Sequence, residues 1–160
     1  MMILIMGVTG SGKTTVGKML AAELGWPFFD ADDFHSPANV GKMSSGVPLT
    51  DEDRRPWLGQ LKALISAQRA HGENGVLACS ALKTSYRDIL SSEDELMIVY
   101  LRADRRLVEK RLAGRKGHFM SRDLIESQFS ALEEPDSAIT VPADWRPEKV
   151  VELIRSKVGV

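Results

Sequence analysis

The chain has 160 residues, of which 43% are hydrophobic and 27% charged, and its formal net charge is −1. This composition is ordinary for one globular domain with a sizeable core. The near-neutral charge gives no support to nucleic acid or an anionic membrane as a partner. A single cysteine, Cys79, excludes an internal disulfide, and no apolar run is long enough for a membrane span. We therefore expect a cytoplasmic protein without a nucleic-acid or membrane partner.

Short apolar runs and amphipathic stretches predict the order of the secondary structure. Strands are predicted at Met2–Met6, Pro27–Asp30, Val76–Cys79, Met97–Leu101 and Ala138–Val141. Helices are predicted at Lys13–Leu24, Glu52–His71, Leu82–Leu90, Arg105–Ala113, Asp123–Leu132 and Glu148–Val158. This alternation predicts an α/β fold, in which one domain over residues 1–160 contains a parallel sheet with helices on both faces.

The least regular stretch of the sequence lies between residues 34 and 51, where prolines and glycines interrupt any helical pattern. It follows the second predicted strand and so lies at the carboxyl edge of the sheet, where ligands bind in folds of this kind. We therefore expect a substrate-binding insertion over about residues 34–57.

The connection between the first strand and the first helix matches the phosphate-loop pattern G-x-x-x-x-G-K-[ST]. Its residues are Gly7-Val8-Thr9-Gly10-Ser11-Gly12-Lys13-Thr14, and Thr15 follows. The glycines let successive N–H groups converge on phosphate oxygens, and the helix N-terminus adds partial positive charge. Lys13 is expected to reach the β- and γ-phosphates, and Thr14 to ligate Mg²⁺. The alternative is a tight strand-to-helix turn that binds no ligand.

The second strand is predicted to end in Asp30-Ala31-Asp32. An extended chain would place both carboxylates on one side, beside the phosphate loop. One could hold Mg²⁺ through water, and the other could accept a proton from a hydroxyl that attacks the γ-phosphate. The alternative is an acid-rich helix start capped by Asp33 or Ser36. Asp30 is the expected metal ligand, since the third strand and its next residue, 76–80, contain no acid.

Charged and polar residues also occur at the start of the second predicted helix and directly after the third predicted strand. Arg54 or Arg55 could face the substrate cleft from the start of a helix, although exposure to solvent explains either one. Ser80 and Lys83 follow the third strand and could hold an anionic or polyhydroxy substrate, although Ser80 could equally cap a helix.

A basic, glycine-flanked segment between the fourth and fifth predicted helices suits a mobile lid over about residues 112–122. Closing over ATP, it would bring guanidinium charge to the transferred phosphoryl group and exclude water. Arg111 could stack on adenine. Trp57 and Trp145 are expected to pack within the protein rather than bind a ligand.

Taken together, these motifs resemble gluconokinases of the small phosphate-loop type, which are related to shikimate kinase and the nucleoside monophosphate kinases. The resemblance runs nearly end to end. Besides Gly7–Thr14 and Asp30–His35, it is carried by Asn39–Met43, Gly46–Asp51, Asp53–Trp57, Cys79–Lys83, Tyr86–Asp88, Arg115–Phe119, Ser127–Phe129 and Leu132–Pro135. The segments Cys79–Lys83 and Arg115–Phe119 are the most specific of these.

The resemblance implies ATP-dependent phosphorylation of D-gluconate to 6-phosphogluconate by a cytoplasmic homodimer. It also implies a phosphate-loop three-layer fold with a five-stranded sheet in the order 2-3-1-4-5. The implied cofactors are ATP and Mg²⁺. Implied catalytic residues are Lys13, Asp32 as base and Arg115 from the lid; implied ATP-binding residues are Gly7 to Thr15, Arg111 and Arg115. Implied substrate-binding residues are Asp32, His35, Lys42, Arg54, Ser80, Lys83 and Arg87; implied metal ligands are Thr14 and Asp30.

Three other functions remain open at this point. A shikimate kinase is disfavoured because Ser80-Ala81 stands where that enzyme has a glycine triplet. A nucleoside monophosphate kinase is disfavoured because the acid pair Asp30 and Asp32 suits a hydroxyl acceptor better than a phosphate acceptor. A module that binds ATP without turnover is disfavoured by the polar segments on the substrate side.

Overall fold

A single parallel sheet forms the centre of the computed structural model, which describes residues 1–91, 95–114 and 122–160. Its strands are β1 (Met2–Met6), β2 (Phe28–Asp30), β3 (Gly75–Ala78), β4 (Leu96–Arg102) and β5 (Ile139–Pro142). Their order across the sheet is β2-β3-β1-β4-β5, and every neighbouring pair is parallel. The parallel sheet and the strand order implied by the resemblance are both confirmed.

The strand register brings the carboxyl ends of the central strands to one edge. Ile5 of β1 lies opposite Ala78 of β3 and Val99 of β4. Asp30, the last residue of β2, also lies opposite Ala78. The loops that follow β1, β2 and β3 therefore meet at this edge, as expected for a ligand site in a parallel sheet.

Seven α-helices are formed by the described residues, together with one short 3₁₀ helix at Ala31–Phe34. They are α1 (Lys13–Leu24), α2 (Pro37–Ser44), α3 (Asp51–Ala70), α4 (Thr84–Ser91), α5 (Arg105–Ala113), α6 (Arg122–Ala131) and α7 (Pro147–Val158). None of the helices in these parts of the chain is both long and apolar enough to cross a bilayer.

Strand β1 is buried along its whole length because its side chains pack alternately on the two faces of the sheet. On one face Ile3 and Ile5 pack in a cluster that includes residues of α1 and α7. On the other face Leu4 and Met6 pack in a cluster that includes residues of α3 and α4. The helices on both faces confirm the layered arrangement that the sequence predicts.

Two predictions of local structure are wrong. The stretch 34–51, predicted to be irregular, contains α2. This helix begins with Pro37 and is capped by Ser36, whose side-chain oxygen accepts from the backbone N–H of Asn39. Helix α4 begins at Thr84 rather than at Leu82, because the chain first passes through a left-handed turn at Ala81, where φ is 44°.

Candidate active site

The phosphate loop has a conformation that requires glycine at two positions. A Cβ atom on Gly7 would lie 2.6 Å from Ser11 Oγ and 2.9 Å from the Leu101 carbonyl oxygen, so a larger residue would force the loop away from the sheet. Gly12, directly before α1, has φ of 97°, in the left-handed region that glycine adopts at little cost. A hydrogen bond of 3.1 Å from the Ser11 amide to the Val8 carbonyl closes the turn.

Helix α1 differs from α2, α3 and α5 at its N-terminus. Side chains cap those three helices by accepting from their first-turn amides: Ser36, Thr50 and Asp104. In the described chain no side chain caps α1, which starts after Gly12. Helix α7 also lacks a side-chain cap among the described residues, but only α1 follows a glycine loop at the carboxyl edge of the sheet, so its first-turn amides and partial positive charge are available to an anion.

The end of β2 is hydrogen-bonded to the start of α1 through one carboxylate. Thr14 Oγ1 donates to Asp30 Oδ2 over 3.4 Å, while Asp30 Oδ1 accepts from the Asp32 amide over 3.0 Å. Lys13 Nζ lies 3.5 Å from the Val8 carbonyl, folded back on the loop. The residues expected to bind metal and phosphate are thus neighbours in space.

Asp30 and Asp32 do not share an extended strand, and that part of the sequence interpretation is wrong. The strand ends at Asp30, which caps the 3₁₀ helix that contains Asp32. The alternative interpretation of the segment also holds in part, since Ser36 caps the next helix. The turn nevertheless keeps both acids at the carboxyl edge, beside Lys13 and Thr14.

Asp32 has a raised pKa although the residue is partly exposed to solvent. Loss of hydration in the surrounding protein raises its pKa above the ordinary value; the positive charge of Lys13 opposes this, and the negative charge of Asp30 adds to it. A carboxylate with a raised pKa is a stronger proton acceptor than one fully solvated, so long as it stays ionised at the working pH.

A pocket opens next to Lys13 and Asp32 and is lined by six segments of the chain. The phosphate loop and α1 contribute Thr9 and Lys13, the turn after β2 contributes Asp32 and His35, and α3 contributes Arg54 and Trp57. The other lining residues are Met43, Val47, Pro48 and Leu49 from α2 and the loop after it, Ser80 from the turn after β3, and Leu124, Ser127 and Gln128 from α6. Four of the expected substrate-binding residues, Asp32, His35, Arg54 and Ser80, are therefore brought together around one space.

Arg54 supplies positive charge to this pocket, whereas Arg55 is exposed. Arg54 Nη1 donates to the Leu49 carbonyl over 2.6 Å and to the Tyr86 hydroxyl over 3.2 Å. The guanidinium also lies over the Tyr86 ring, 5.6 Å from its centroid. None of these three contacts neutralises its charge, which suits an arginine that binds an anionic ligand.

Trp57 fixes the positions of two other pocket residues. Its indole Nε1 donates to the Ala31 carbonyl over 2.7 Å, which anchors the turn that carries Asp32. Its ring stacks on the His35 imidazole, with centroids 4.2 Å apart and 14° between the planes. The predicted packing role of Trp57 is confirmed, since it is buried, but its ring also lines the pocket.

Arg87 lies outside the pocket lining and stabilises the turn before α4. It is 5% exposed, and it donates to the Ala81 carbonyl over 2.7 Å, to Thr84 Oγ1 over 3.1 Å and to the Glu133 carbonyl over 2.8 Å. These bonds engage its guanidinium and hold the left-handed Ala81 next to Ser80. The direct substrate contact expected of Arg87 remains a prediction.

Ser80 does not cap α4, so the structural alternative for this residue is wrong. The first amide of that helix, Thr84 N–H, donates instead to Glu133 Oε1 over 2.7 Å. Ser80 lines the pocket, as expected of a substrate-binding residue.

Lys42 and Lys83 bind acids beside the pocket rather than lining it. Lys42 Nζ lies 2.9 Å from both carboxylate oxygens of Asp53; a backbone hydrogen bond from Thr50 and this contact with Lys42 lower the pKa of Asp53 to about 2. Lys83 Nζ lies 2.9 Å from Asp51 Oδ1. Their direct contact with substrate remains a prediction.

A second cavity lies on the other side of the phosphate loop. It is lined by Ser11, Gly12, Thr15, Val16, Leu101, Arg111, Ala143, Trp145, Pro147 and Val150. Arg111 Nη1 donates to the Ser11 carbonyl over 2.8 Å, and Nη2 to the Ala143 carbonyl over 2.5 Å. Arg111 and Thr15 thus line the same cavity beside the phosphate loop. The expected stacking of Arg111 on adenine remains a prediction.

Two residues of the site were not anticipated from the sequence. Trp145, expected to pack, is 49% exposed at the rim of the second cavity. Gln128 Oε1 accepts from the Thr9 amide over 3.1 Å and from Thr9 Oγ1 over 3.2 Å, joining α6 to the phosphate loop. The motif Ser127-Gln128-Phe129 was a signal for Gln128, but it gave no indication of its partner.

The expected lid residue Arg115 and most of the lid, residues 115–121, lie outside the described residues. The described ends of that region belong to α5 and α6, which are joined by an ion pair of 2.6 Å between Arg105 and Glu126.

Within residues 1–91, 95–114 and 122–160, no three or more His, Cys, Asp or Glu side chains are grouped to hold a metal ion. One carboxylate and one hydroxyl, from Asp30 and Thr14, do meet at the phosphate loop. This small set of oxygen donors fits Mg²⁺, which commonly takes one or two protein ligands and completes its shell with water and phosphate oxygens.

The sheet order, the uncapped helix after a glycine loop and the adjacent acid together define a small phosphate-loop kinase. Comparison with known proteins supports this class: a family profile described as shikimate kinase matches residues 9–141. A shikimate kinase structure from Aquifex aeolicus shares the fold, with a TM-score of 0.65 at 20% identity.

Relatives with higher sequence identity show which family of phosphate-loop kinases the chain resembles. A probable gluconokinase of Mus musculus is 48% identical over 84% of this chain and 83% of its own length. A gluconokinase of Gluconobacter oxydans is 46% identical over 96% of this chain and 89% of its own length. The crystal structure of a gluconokinase from Sinorhizobium meliloti has a TM-score of 0.89 at 37% identity, covering 98% of this chain and 90% of its own. The chain belongs to the gluconokinase family.

Proposed function

We propose that the protein transfers the γ-phosphoryl group of ATP to the terminal hydroxyl of D-gluconate, giving 6-phosphogluconate and ADP. The observation that carries this proposal is the shared pocket of Lys13, Asp32 and Arg54. A phosphate-binding cation, a raised-pKa carboxylate and an arginine for an anionic substrate line the same space. Gluconokinases related to this chain at 46–48% identity support the choice of acceptor.

The phosphate loop binds the nucleotide in this proposal. Amides at the uncapped start of α1 donate to the β-phosphate oxygens, and the Lys13 ammonium moves from the Val8 carbonyl to the γ-phosphoryl group. The cavity lined by Arg111 and Trp145 receives the adenine, since both side chains can stack on a flat base.

Thr14 and Asp30 would hold Mg²⁺. The Thr14 hydroxyl, 3.4 Å from Asp30 Oδ2, would be a ligand of the ion, and the Asp30 carboxylate would hold it through water. The ion would supply positive charge for the developing negative charge on the phosphates. Asp30 has a second task that needs no metal, because it positions Asp32 by accepting its amide hydrogen.

Asp32 accepts the proton of the attacking hydroxyl. Phosphoryl transfer depends mainly on alignment and on charge stabilisation, so the base needs only to lie close to the acceptor oxygen. The anchoring of the Asp32 turn by Trp57, through the Ala31 carbonyl, limits the movement of this carboxylate. The expected charge contribution of Arg115 is part of the proposal as well.

D-gluconate matches the charge distribution of the acceptor pocket. It carries a carboxylate at one end and a reactive primary hydroxyl at the other. Arg54, on α3, would bind the carboxylate, and Asp32 would receive the hydroxyl. His35 and Ser80, with Lys42 and Lys83 near the pocket, would contact hydroxyl groups between these ends. A homodimer in the cytoplasm completes the proposal.

Product analysis after incubation with Mg²⁺ and ATP tests the function directly. D-gluconate, sugar acids that differ from it at one stereocentre, and shikimate are offered separately, and the products are identified by mass. We expect ADP release that depends on D-gluconate, with one phosphorylated gluconate formed per ADP. Preferential phosphorylation of shikimate would contradict the assignment of the acceptor, and ADP release without any acceptor would contradict the transferase function.

A further inference from the structure

Asn39 is a buried polar residue of α2, 6% exposed, and it lies next to the acceptor pocket without lining it. Its amide nitrogen Nδ2 lies close to two polar atoms. It donates to the Asp53 carbonyl of α3 over 2.8 Å, and it lies 3.4 Å from Nδ1 of His35. A buried amide with such partners is held in one orientation.

The Asp53 carbonyl determines which way the Asn39 amide faces. A carbonyl oxygen can only accept a hydrogen bond, so the group opposite it must be the NH₂ and not the oxygen of the amide. Rotating the amide by half a turn would place two acceptor oxygens against each other. The orientation therefore follows from chemistry and not from the choice of atom labels.

The same NH₂ faces His35, and this fixes where the imidazole carries its proton. Nδ1 must accept from Asn39, so the hydrogen of the neutral ring is on Nε2. An imidazolium would direct a second N–H from Nδ1 against the Asn39 donor. Asn39 therefore disfavours both the other tautomer and the charged form.

Two more features of the site agree with a neutral, fixed ring. The pKa of His35 lies below its ordinary value. Burial lowers it most, the Arg54 guanidinium lowers it further, and the Asp32 carboxylate raises it in part. Stacking on Trp57 with 14° between the planes restrains the plane of the ring, while Asn39 restrains its rotation within that plane.

We propose that Asn39 is a positioning residue that locks His35 as the neutral Nε2–H tautomer, so that His35 donates a hydrogen bond to an oxygen of the acceptor substrate and is not its general base. A ring whose Nε2 carries hydrogen and whose Nδ1 is bound to Asn39 has no free site for a proton. The base is then Asp32. The donor role rests on the proposed function, whereas the tautomer does not.

Nitrogen NMR of the imidazole rings tests the tautomer without any substrate. The chain has three histidines, and a His35→Gln variant assigns the His35 signals in ¹⁵N-labelled protein. We expect Nδ1 to give the shift of an unprotonated nitrogen and Nε2 that of a protonated one at neutral pH. A protonated Nδ1 would overturn the proposal, whether or not the protein phosphorylates gluconate.

Replacement of Asn39 separates its effect on His35 from its effect on the helix. Asn39→Ala should give mixed tautomers and a KM for the acceptor about tenfold higher, the cost of a lost or misdirected hydrogen bond. Ser36→Ala is the matched control, since it removes the cap of the same helix and leaves Nδ2 in place. If Ser36→Ala changes the tautomer and the KM equally, Asn39 acts only through helix stability and the proposal fails.

Two substitutions of His35 test the donor independently of Asn39. His35→Phe keeps an aromatic ring to stack on Trp57 but removes the N–H, and should raise the acceptor KM about tenfold. His35→Gln keeps an N–H donor and should stay within about threefold of the native KM. Equal effects of the two variants, or a pH profile that loses its acid limb in either one, would exclude the donor role.

Discussion

The proposed nucleotide side and the proposed acceptor side of the site are built in different ways. The nucleotide side is largely main chain from consecutive residues, Gly7 to Thr14, and it uses amides that no side chain caps. The acceptor side combines side chains from the turn after β2, α3, the turn after β3 and α6. A local site of the first kind can be recognised from a short sequence pattern. A composite site of the second kind depends on contacts between residues far apart in the chain.

Removing Lys13 should cause the largest loss and affect the nucleotide side. Lys13→Met removes a charge expected at the transferred phosphoryl group, so turnover should fall by about a thousandfold. The measurement is the rate of ADP formation with saturating ATP and gluconate. Lys18→Met is the control, since Lys18 is exposed on the same helix, above the Phe28 ring. Native turnover in Lys13→Met would show that the loop does not serve phosphoryl transfer.

Asp32→Asn should reduce turnover by about a hundredfold, with little change in ATP affinity. The neighbouring exposed acid provides the control Asp33→Asn, for which we expect turnover near the native value. An Asp32→Asn variant with native turnover and only a higher acceptor KM would make Asp32 a binding residue and not the base.

The pH profile of the native protein should carry the signature of the same residue. Asp32 accepts a proton only when it is ionised, and its pKa lies above the ordinary 3.8. The rate of phosphoryl transfer should therefore fall as the pH drops through this raised pKa, and this acid limb should be absent in Asp32→Asn. An acid limb of the same position in both proteins would assign it to another group.

Arg87→Met should act on stability and not on the chemical step. The change leaves the buried Ala81 carbonyl and the part-buried Glu133 carbonyl without their donor, which costs about 2 kcal/mol of unfolding free energy. Chemical denaturation measures the effect, and Arg106→Met, at an exposed position of α5, is the control. If Arg87→Met keeps native stability but loses gluconate binding, the direct substrate contact expected from the sequence is correct after all.

Arg54 and Arg55 form the most closely matched pair on the acceptor side. Arg54→Gln should raise the KM for gluconate about tenfold or more by removing a charge that faces the pocket, and leave the KM for ATP unchanged. Arg55→Gln changes an exposed neighbour on the same helix turn and should have almost no effect. Equal changes in both variants would indicate a long-range effect of charge and not a contact.

The sequence predicts most accurately those elements whose causes are local. The bounds of β1 and α1 agree with the prediction, because an apolar run, a glycine loop and a left-handed Gly25 mark their ends. Helix α2 was missed because its stability depends on partners elsewhere, including the Asn39 bond to Asp53 and the Lys42–Asp53 ion pair. Its own sequence carries a local helix start signal, Ser36 followed by Pro37, but Gly41 inside the helix lowers its helix propensity.

The difference between local and long-range causes also applies to the site residues. The contact between Thr14 and Asp30 could be predicted, because a loop after β1 and the end of β2 meet at one edge of a parallel sheet. The different surroundings of Arg54 and Arg87 could not be predicted, because both are arginines near the predicted cleft. Only the folded chain shows that Arg87 is enclosed by carbonyls, while Arg54 lines the pocket.

The left-handed turn at Ala81 has a consequence for how this family can diversify. Three hydrogen bonds to two other residues hold it. Arg87, six residues on, binds the Ala81 carbonyl, and the distant Glu133 binds the amide of Thr84 and, through its own amide, the Leu82 carbonyl. Such a turn opens only when the bonds to both Arg87 and Glu133 break, so it is unlike a loop end that frays alone. Ser80 can therefore be exchanged for other side chains on an unchanged backbone, which makes this position a natural place for substrate preference to evolve.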